Sequence, residues 1–144
     1  MSSPRLAQAS DAVELARLVG ELGYPADAHA MACRLAAIHG NPRQRVWVLD
    51  GEGRLRGWIA AELRLGLETG ERVEITGLVV DGAARRTGAG RALVATAEAW
   101  ARAQGVEAVV VRSNVQRQTS HPFYEALGYT RQKSQHVYRH VLVD

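Results

Sequence analysis

At Arg45 the texture of the chain becomes strand-like: a short apolar run, a segment in which apolar and polar residues alternate with a period of two, and a further apolar-rich run follow one another, separated by two turn-rich breaks. Val46-Trp47-Val48-Leu49 ends at Asp50-Gly51-Glu52-Gly53. Leu55, Gly57, Ile59, Ala61, Leu63 and Leu65 then alternate with Arg56, Trp58, Glu62 and Arg64, and the polar loop Glu68 to Glu71 leads into Val73-Glu74-Ile75-Thr76-Gly77-Leu78-Val79-Val80. A period of two belongs to strands, and breaks this short join antiparallel neighbours. Gly77, inside a strand, marks a bulge or the close approach of another backbone. Beyond it the period changes. Leu93, Val94, Ala97, Trp100 and Ala101 share one face of a helix predicted over Gly88 to Gln104, and the valine run within Glu107 to Ser113 reads as a strand buried on both faces. The strand-helix-strand unit from Val73 to Ser113 predicts a parallel, right-handed crossover.

The flanks complete an α/β (α+β) chain. Arg5 to Ala9 reads as a first strand, and Asp11 with Glu14 has the spacing of a capping box. Leu15, Leu18, Val19 and Leu22 repeat at helical spacing until Gly23 and Pro25 stop them. Ala28, Met31, Leu35 and Ile38 form a second amphipathic pattern, within which Cys33 reads as a small core residue. A short helix runs from Ser120 or Pro122 to Leu127, closed by Gly128, and Gln135 to Val143 alternates as a last strand. The predicted order is β-α-α-β-β-β-α-β-α-β.

With 144 residues, 47% of them hydrophobic, the expectation is one domain over 1–144 with one core. The formal charge is +3, and all 18 basic residues except Lys133 are arginine. They are scattered without interleaved aromatics, which argues for a local anionic ligand and against nucleic acid. One cysteine forms no internal disulfide, no trusted metal spacing occurs among the histidines, no run is apolar enough for a bilayer, and the N-terminus lacks a signal-like stretch. A cytoplasmic protein without metal or membrane partner is expected.

The stretch Asp81-Gly82-Ala83-Ala84-Arg85-Arg86-Thr87-Gly88-Ala89-Gly90-Arg91 joins the fourth strand to the helix. A helix's first turn has free N–H groups and a positive dipole end, and glycines at 88 and 90 let phosphate oxygens approach without a Cβ in the way. Either a diphosphate cradle or an ordinary capped turn with solvated arginines satisfies these residues.

The spacing Arg85-x-x-Gly88-x-Gly90 after an apolar strand, followed by Asn114 and by Phe123-Tyr124-Glu125-Ala126-Leu127-Gly128-Tyr129, resembles the GCN5-related N-acetyltransferase superfamily. The resemblance implies a mixed, mostly antiparallel sheet flanked by about four helices. It also implies a splay between the Gly77 strand and the parallel strand after it, where acetyl-CoA lies. By position, the coenzyme contacts are Leu78, Val79 and Val80 on the strand, Arg85, Arg86, Thr87, Gly88, Ala89, Gly90 and Arg91 in the loop, and Asn114 and Tyr124 beyond, with the gap opening toward Ser113 and Asn114. Relatives often carry glycine where Arg86 stands here. Tyr124 matches the tyrosine that protonates the departing thiolate, or else only packs beside the coenzyme. Glu74 matches a general base, or else is a solvated or purely substrate-binding carboxylate, and strand alternation puts it on one face with Thr76, Leu78 and Val80. His121 is a structural residue, or else a neutral hydrogen-bond partner or a base, and Phe123 is expected in the core.

Ser113-Asn114-x-x-Arg117-x-x-x-His121-x-Phe123-Tyr124 is similar to the branch of aminoglycoside 6′-N-acetyltransferases and aminoalkylphosphonate acetyltransferases. Glu62, Glu68, Glu71 and Glu74 suggest a carboxylate-lined groove for a cationic small-molecule amine. A protein N-terminus or lysine acetyltransferase, or a non-catalytic acetyl-CoA-binding module, is the alternative. The apolar final strand, with Val137, Val141 and Leu142, suggests a homodimer.

Overall fold

The computed structural model describes residues 3–24, 26–112 and 120–143, and the chain divides into two compact units, Met1–Arg112 and Ser113–Asp144. The first unit holds β1 (Arg5–Leu6), α1 (Ala12–Glu21), α2 (Ala28–His39), β2 (Gln44–Asp50), β3 (Leu55–Gly66), β4 (Gly70–Val80), α3 (Ala89–Ala103) and β5 (Val109–Val111). The second holds α4 (Ser120–Ala126). The sheet order is β1-β2-β3-β4-β5, antiparallel except for the parallel β4–β5 pair.

Paired residues share a face of a sheet, so the register sorts the core. Val46, Val48, Trp58, Ala60 and Val79 lie on one face, packed with Leu15 and Leu18 of α1 and Leu35 of α2. Trp47, Gly57 and Ile59 lie on the other, which α3 covers with Leu93, Val94, Ala97 and Ala101. Trp47 meets Trp100 of α3 edge-on at 5.8 Å. A Cβ at Gly57 would lie 3.1 Å from Leu93 Cδ1, so the missing side chain lets α3 sit close. Leu18, Leu49, Ile59 and Leu93 are fully buried, each worth roughly 1.5–3 kcal/mol.

Gly77 carries both features expected of it. Ala60 faces Gly77 but Ala61 faces Ile75, which leaves Thr76 as the extra residue of a β-bulge. A Cβ at Gly77 would lie 2.6 and 2.8 Å from Trp58 Cη2 and Cζ3, because the indole lies over it. The bulge overturns the simple alternation read from the sequence. Glu74 pairs with Glu62 and shares the face of Trp58 and Val79, whereas Leu78 and Val80 pair with Ile59 and Gly57 on the α3 face.

Other expectations change for local reasons. The Asp11–Glu14 capping box does not form. The Asp11 carboxylate accepts the Gln8 N–H at 2.7 Å and meets Arg5, while Glu14 accepts the Leu55 N–H at 2.8 Å. Cys33 is exposed, its Sγ 3.7 Å from His29 Nε2 one turn earlier, because α2 buries Leu35 against the core and turns Cys33 away. β5 is shorter than Glu107 to Ser113, and its valines are half-buried instead of enclosed. Residues 129–143 form neither strand nor helix. Alternation yields a strand only where a neighbour takes up its N–H and C=O groups, and among the described residues none pairs with this segment.

An arginine–carboxylate network ties α1 to the strand ends. Arg17 of α1 grips Glu14 at 2.8 and 2.9 Å, Glu21 at 2.9 Å, and Asp81 at 3.0 Å. Asp81, 4% exposed, also takes Arg54 Nη2 at 2.6 Å and the Ala83 N–H at 2.9 Å. The Ala83 N–H and then the Arg54 guanidinium hold the Asp81 carboxyl down at about 2. Glu14, beside Arg17, and Asp50, beside Arg5, are also lowered. A carboxyl depressed in the folded state stabilises fully above its unfolded pKa, near 4, and that stability is lost as pH falls through the folded value. The melting temperature is therefore expected to be level above about pH 5 and to fall between about pH 4 and 2. Asp81→Asn should lower it at pH 7 and shrink the acid-induced fall. An Asp81→Asn melting curve identical to the parent's across this range would contradict the network's role.

Candidate active site

The loop after β4 is shaped by its own side chains. Asp81 caps a single 3-10 turn over Gly82–Ala84, and Ala84 is buried beneath it. Arg85 is extended, and Arg86 then turns into the left-handed region at φ 65°, a conformation that costs a residue with a Cβ about 1–2 kcal/mol. The Thr87 hydroxyl donates to the Ala84 carbonyl and accepts from Arg56 Nη2 at 2.7 Å, fixing the loop from both sides. Gly88, at φ 85°, is the N-cap of α3, and no side chain caps the helix there.

The Ala92 N–H is bonded to the Gly88 carbonyl, so the N–H groups of Ala89, Gly90 and Arg91 have no partner inside the helix. A Cβ at Gly88 would meet nothing within 4 Å, so the space before this turn is open. Arg85, Arg86 and Arg91 are exposed and make no ion pair among the described residues. Arg85, Arg86, Thr87, Gly88, Ala89, Gly90 and Arg91 thus form one loop with free donors and free positive charge, suited to a phosphate group. Ala89 differs from the rest in burying its side chain in the core.

The edge of β4 continues this surface. Among the described residues β5 pairs with β4 at Val73–Val109, Glu74–Val110 and Ile75–Val111, and this pairing stops short of the bulge. The Asp81 N–H bonds to the Arg56 carbonyl of β3. By strand alternation Val79 turns its N–H and C=O the same way, while Leu78 and Val80 direct theirs to the outer edge. Val79, expected with Leu78 and Val80 among the coenzyme contacts, pairs with Trp58 in the β3 ladder and buries its side chain. Ser113 and Asn114, where the gap was expected to open, lie outside the described residues.

Glu74 is 6% exposed and surrounded by arginines. Arg64 Nη1 lies 3.3 and 3.4 Å from its two oxygens, Arg112 Nη2 at 3.8 Å and Arg72 Nη2 at 3.9 Å. Glu62 meets Arg64 at 3.3 Å and Gln44 Nε2 at 2.7 Å, and Glu71 meets Arg43 at 3.2 Å. The carboxylate-lined groove is therefore not what these residues form, since only Glu68 of the four lacks an arginine partner among the described residues. Sequence reasoning missed Arg64, Arg72 and Arg112. The alternation that carried Glu74 also places Arg64 and Arg72 on its face, but Arg112 reaches it only through the parallel register of β5.

In the second unit, α4 ends where the Tyr129 N–H bonds to the Tyr124 carbonyl at 3.0 Å and Gly128 takes φ 93°. Tyr124 is half-buried, edge-on to Phe123 at 5.1 Å and to Tyr129 at 5.8 Å. Phe123, expected in the core, is also half-buried. The His121 side chain lies outside the described residues. Among the described residues, no group of three or more His, Cys, Asp or Glu side chains is placed to hold a metal ion, and no helix is long and apolar enough to cross a membrane.

The chain is 29% identical over 114 residues to the uncharacterized N-acetyltransferase YhdJ of Bacillus subtilis (strain 168), covering 78% of this chain and 80% of that protein. Its fold matches the aminoglycoside 6′-N-acetyltransferase AAC(6′)-IG from Acinetobacter haemolyticus with a TM-score of 0.81 at 18% identity, over 99% of this chain and 100% of that one. AAC(6′)-Iy, solved with a bisubstrate analog, CoA-S-monomethyl-acetylneamine, matches with a TM-score of 0.84 at 17% identity, over 97% and 98%. The Acetyltransferase (GNAT) family model matches residues 13–129, spanning the loop, the β4 edge and Tyr124. The chain belongs to the acetyltransferase (GNAT) family and is an acyltransferase.

Proposed function

We propose that residues 1–144 form one N-acetyltransferase domain that transfers an acetyl group from acetyl-CoA directly to a primary amine of a small molecule. The observation that carries this reading is continuity. Among the described residues, the outer edge of β4 at Leu78 and Val80 is open and runs into a loop of free N–H groups and three unpaired arginines on the same strand-loop-helix unit. A pantetheine arm offers amides for such an edge, as an added strand would. A diphosphate offers oxygens for the N–H groups of Ala89, Gly90 and Arg91, with Arg85, Arg86 and Arg91 balancing its charge.

In the transfer, the amine nitrogen forms a bond to the thioester carbonyl carbon as the carbon–sulfur bond breaks. The nitrogen gives up one proton and the departing thiolate takes one up. Glu74 is assigned the first proton, directly or through water, and the Tyr124 phenol supplies the second. Asn114 is assigned a contact to the coenzyme. No covalent enzyme intermediate is needed, and the exposed Cys33 plays no part. The exposed apolar residues Val137 and Leu142, 89% and 90% accessible, support a homodimer through the final segment, which light scattering at micromolar concentration reads.

Saturating acetyl-CoA should stabilise the protein by about 2–4 kcal/mol through mass action. Gly88→Trp fills the open space before α3 and should abolish that ligand-induced shift. At φ 85° it also costs about 1–2 kcal/mol without ligand, so the shift and not the absolute melting temperature is the readout. A wild-type shift in the variant would place the phosphate site elsewhere. Tyr124→Phe should reduce kcat roughly 10- to 1000-fold while changing coenzyme affinity far less, because its proton matters only as the thiolate leaves. Unchanged turnover would remove Tyr124 from the mechanism.

A further inference from the structure

Three guanidiniums converge on Glu74, and the cluster holds more positive charge than its carboxylates balance. Arg64 is shared between Glu62 and Glu74, and among the described residues Arg72 and Arg112 meet a carboxylate at Glu74 alone, at 3.9 and 3.8 Å. Those separations are beyond hydrogen-bond range, and neither guanidinium donates a hydrogen bond within the described residues. Each carries five N–H donors in a planar fork that matches a carboxylate or phosphonate. The Arg72 side chain is only 25% exposed, so its donors are poorly served by solvent, while that of Arg112, at 56%, faces outward.

The place of this cluster gives it a use. Val110 pairs with Glu74, and Arg112, two residues further on and just past the end of β5, reaches Glu74. Among the described residues, this is where β4–β5 pairing has just ended and the open β4 edge begins. We propose that Arg72 and Arg112 bind an anionic group of the acceptor. On this view the acetylated amine carries a carboxylate or phosphonate close to its amino group and is not a polycation. This rests on the acetyl-transfer reading above and narrows it. The anion takes the donors that Glu74 leaves free, and the amino end is held beside Glu74. A polycationic amine would instead meet uncompensated positive charge.

The test is coenzyme release by the full chain with four amines: 2-aminoethylphosphonate, β-alanine, n-propylamine and spermidine. The two anionic amines should exceed the other two in kcat/KM by about 10- to 100-fold, the scale of a charge-assisted hydrogen bond. The ratio between phosphonate and carboxylate identifies the preferred anion. Arg112→Gln, a change at an outward-facing position, should bring the anionic-to-neutral ratio down by a similar factor, mainly through KM, and Arg72→Gln should do the same. Equal turnover of all four amines, a preference for spermidine, or an unchanged ratio in folded Arg112→Gln overturns the anion subsite and leaves the transferase reading standing. Stabilisation by acetyl-CoA without turnover of any of the four also overturns the subsite. Absence of both stabilisation and turnover overturns the transferase reading, and the subsite with it.

Discussion

The rest of the site depends on one extra residue in a strand. Thr76 has no partner opposite, and Gly77 beside it has no side chain, so the Trp58 indole can lie against the backbone. A bulge bends its strand and increases the local twist. Beyond it β4 leaves β5 behind: pairing covers Val73 to Ile75 and no further among the described residues. The bulge also exchanges the two faces of β4. Glu74 is delivered to the side of α1 and α2 with Arg64, and Leu78 and Val80 to the side of α3. A strand of strict alternation would have put Glu74 and Leu78 together.

The second constraint is electrostatic. Asp81 stands where β4 becomes the phosphate-suited loop, and it is fastened by Arg54 at the start of the β2–β3 hairpin's return strand and by Arg17 on α1. The same carboxylate receives the Ala83 N–H, so the tie reaches the loop's backbone directly. Such a buried, multiply bonded carboxylate fixes geometry more than it adds net stability, since desolvation opposes its ion pairs. Holding the loop leaves Arg85, Arg86 and Arg91 free for a ligand while the anchoring charges lie beneath.

Elements with a strong local pattern were legible in the sequence. The β2, β3 and β4 strands, both long helices of the first half and α3 all occur close to the predicted positions, because their core-facing periodicity is dictated by burial. The Arg85-x-x-Gly88-x-Gly90 loop was legible because only glycine at 88 suits φ 85° at an uncapped helix start. What was not legible depends on partners distant in sequence. Asp11 and Glu14 have capping-box spacing but find Arg5, Arg17 and the Leu55 N–H. Glu62, Glu71 and Glu74 read as an acidic groove until β-pairing brings arginines beside each. Cys33 falls inside an apolar-looking helix, and only the packing of Leu35 decides that it faces outward. The final alternation at 135–143 has no pairing partner among the described residues, and no single segment's pattern reveals that.

In the proposed transferase, the outer edge of β4 that the bulge leaves unpaired among the described residues is the edge that acetyl-CoA completes. Amide hydrogen exchange at Leu78 and Val80, compared with β3 in free and acetyl-CoA-saturated protein, tests it most directly. Both amides should exchange fast in the free protein and slowly when the coenzyme is bound, against β3 amides protected throughout. Leu78 and Val80 amides as protected as β3 in the free protein, or unaffected by saturating acetyl-CoA, would contradict it.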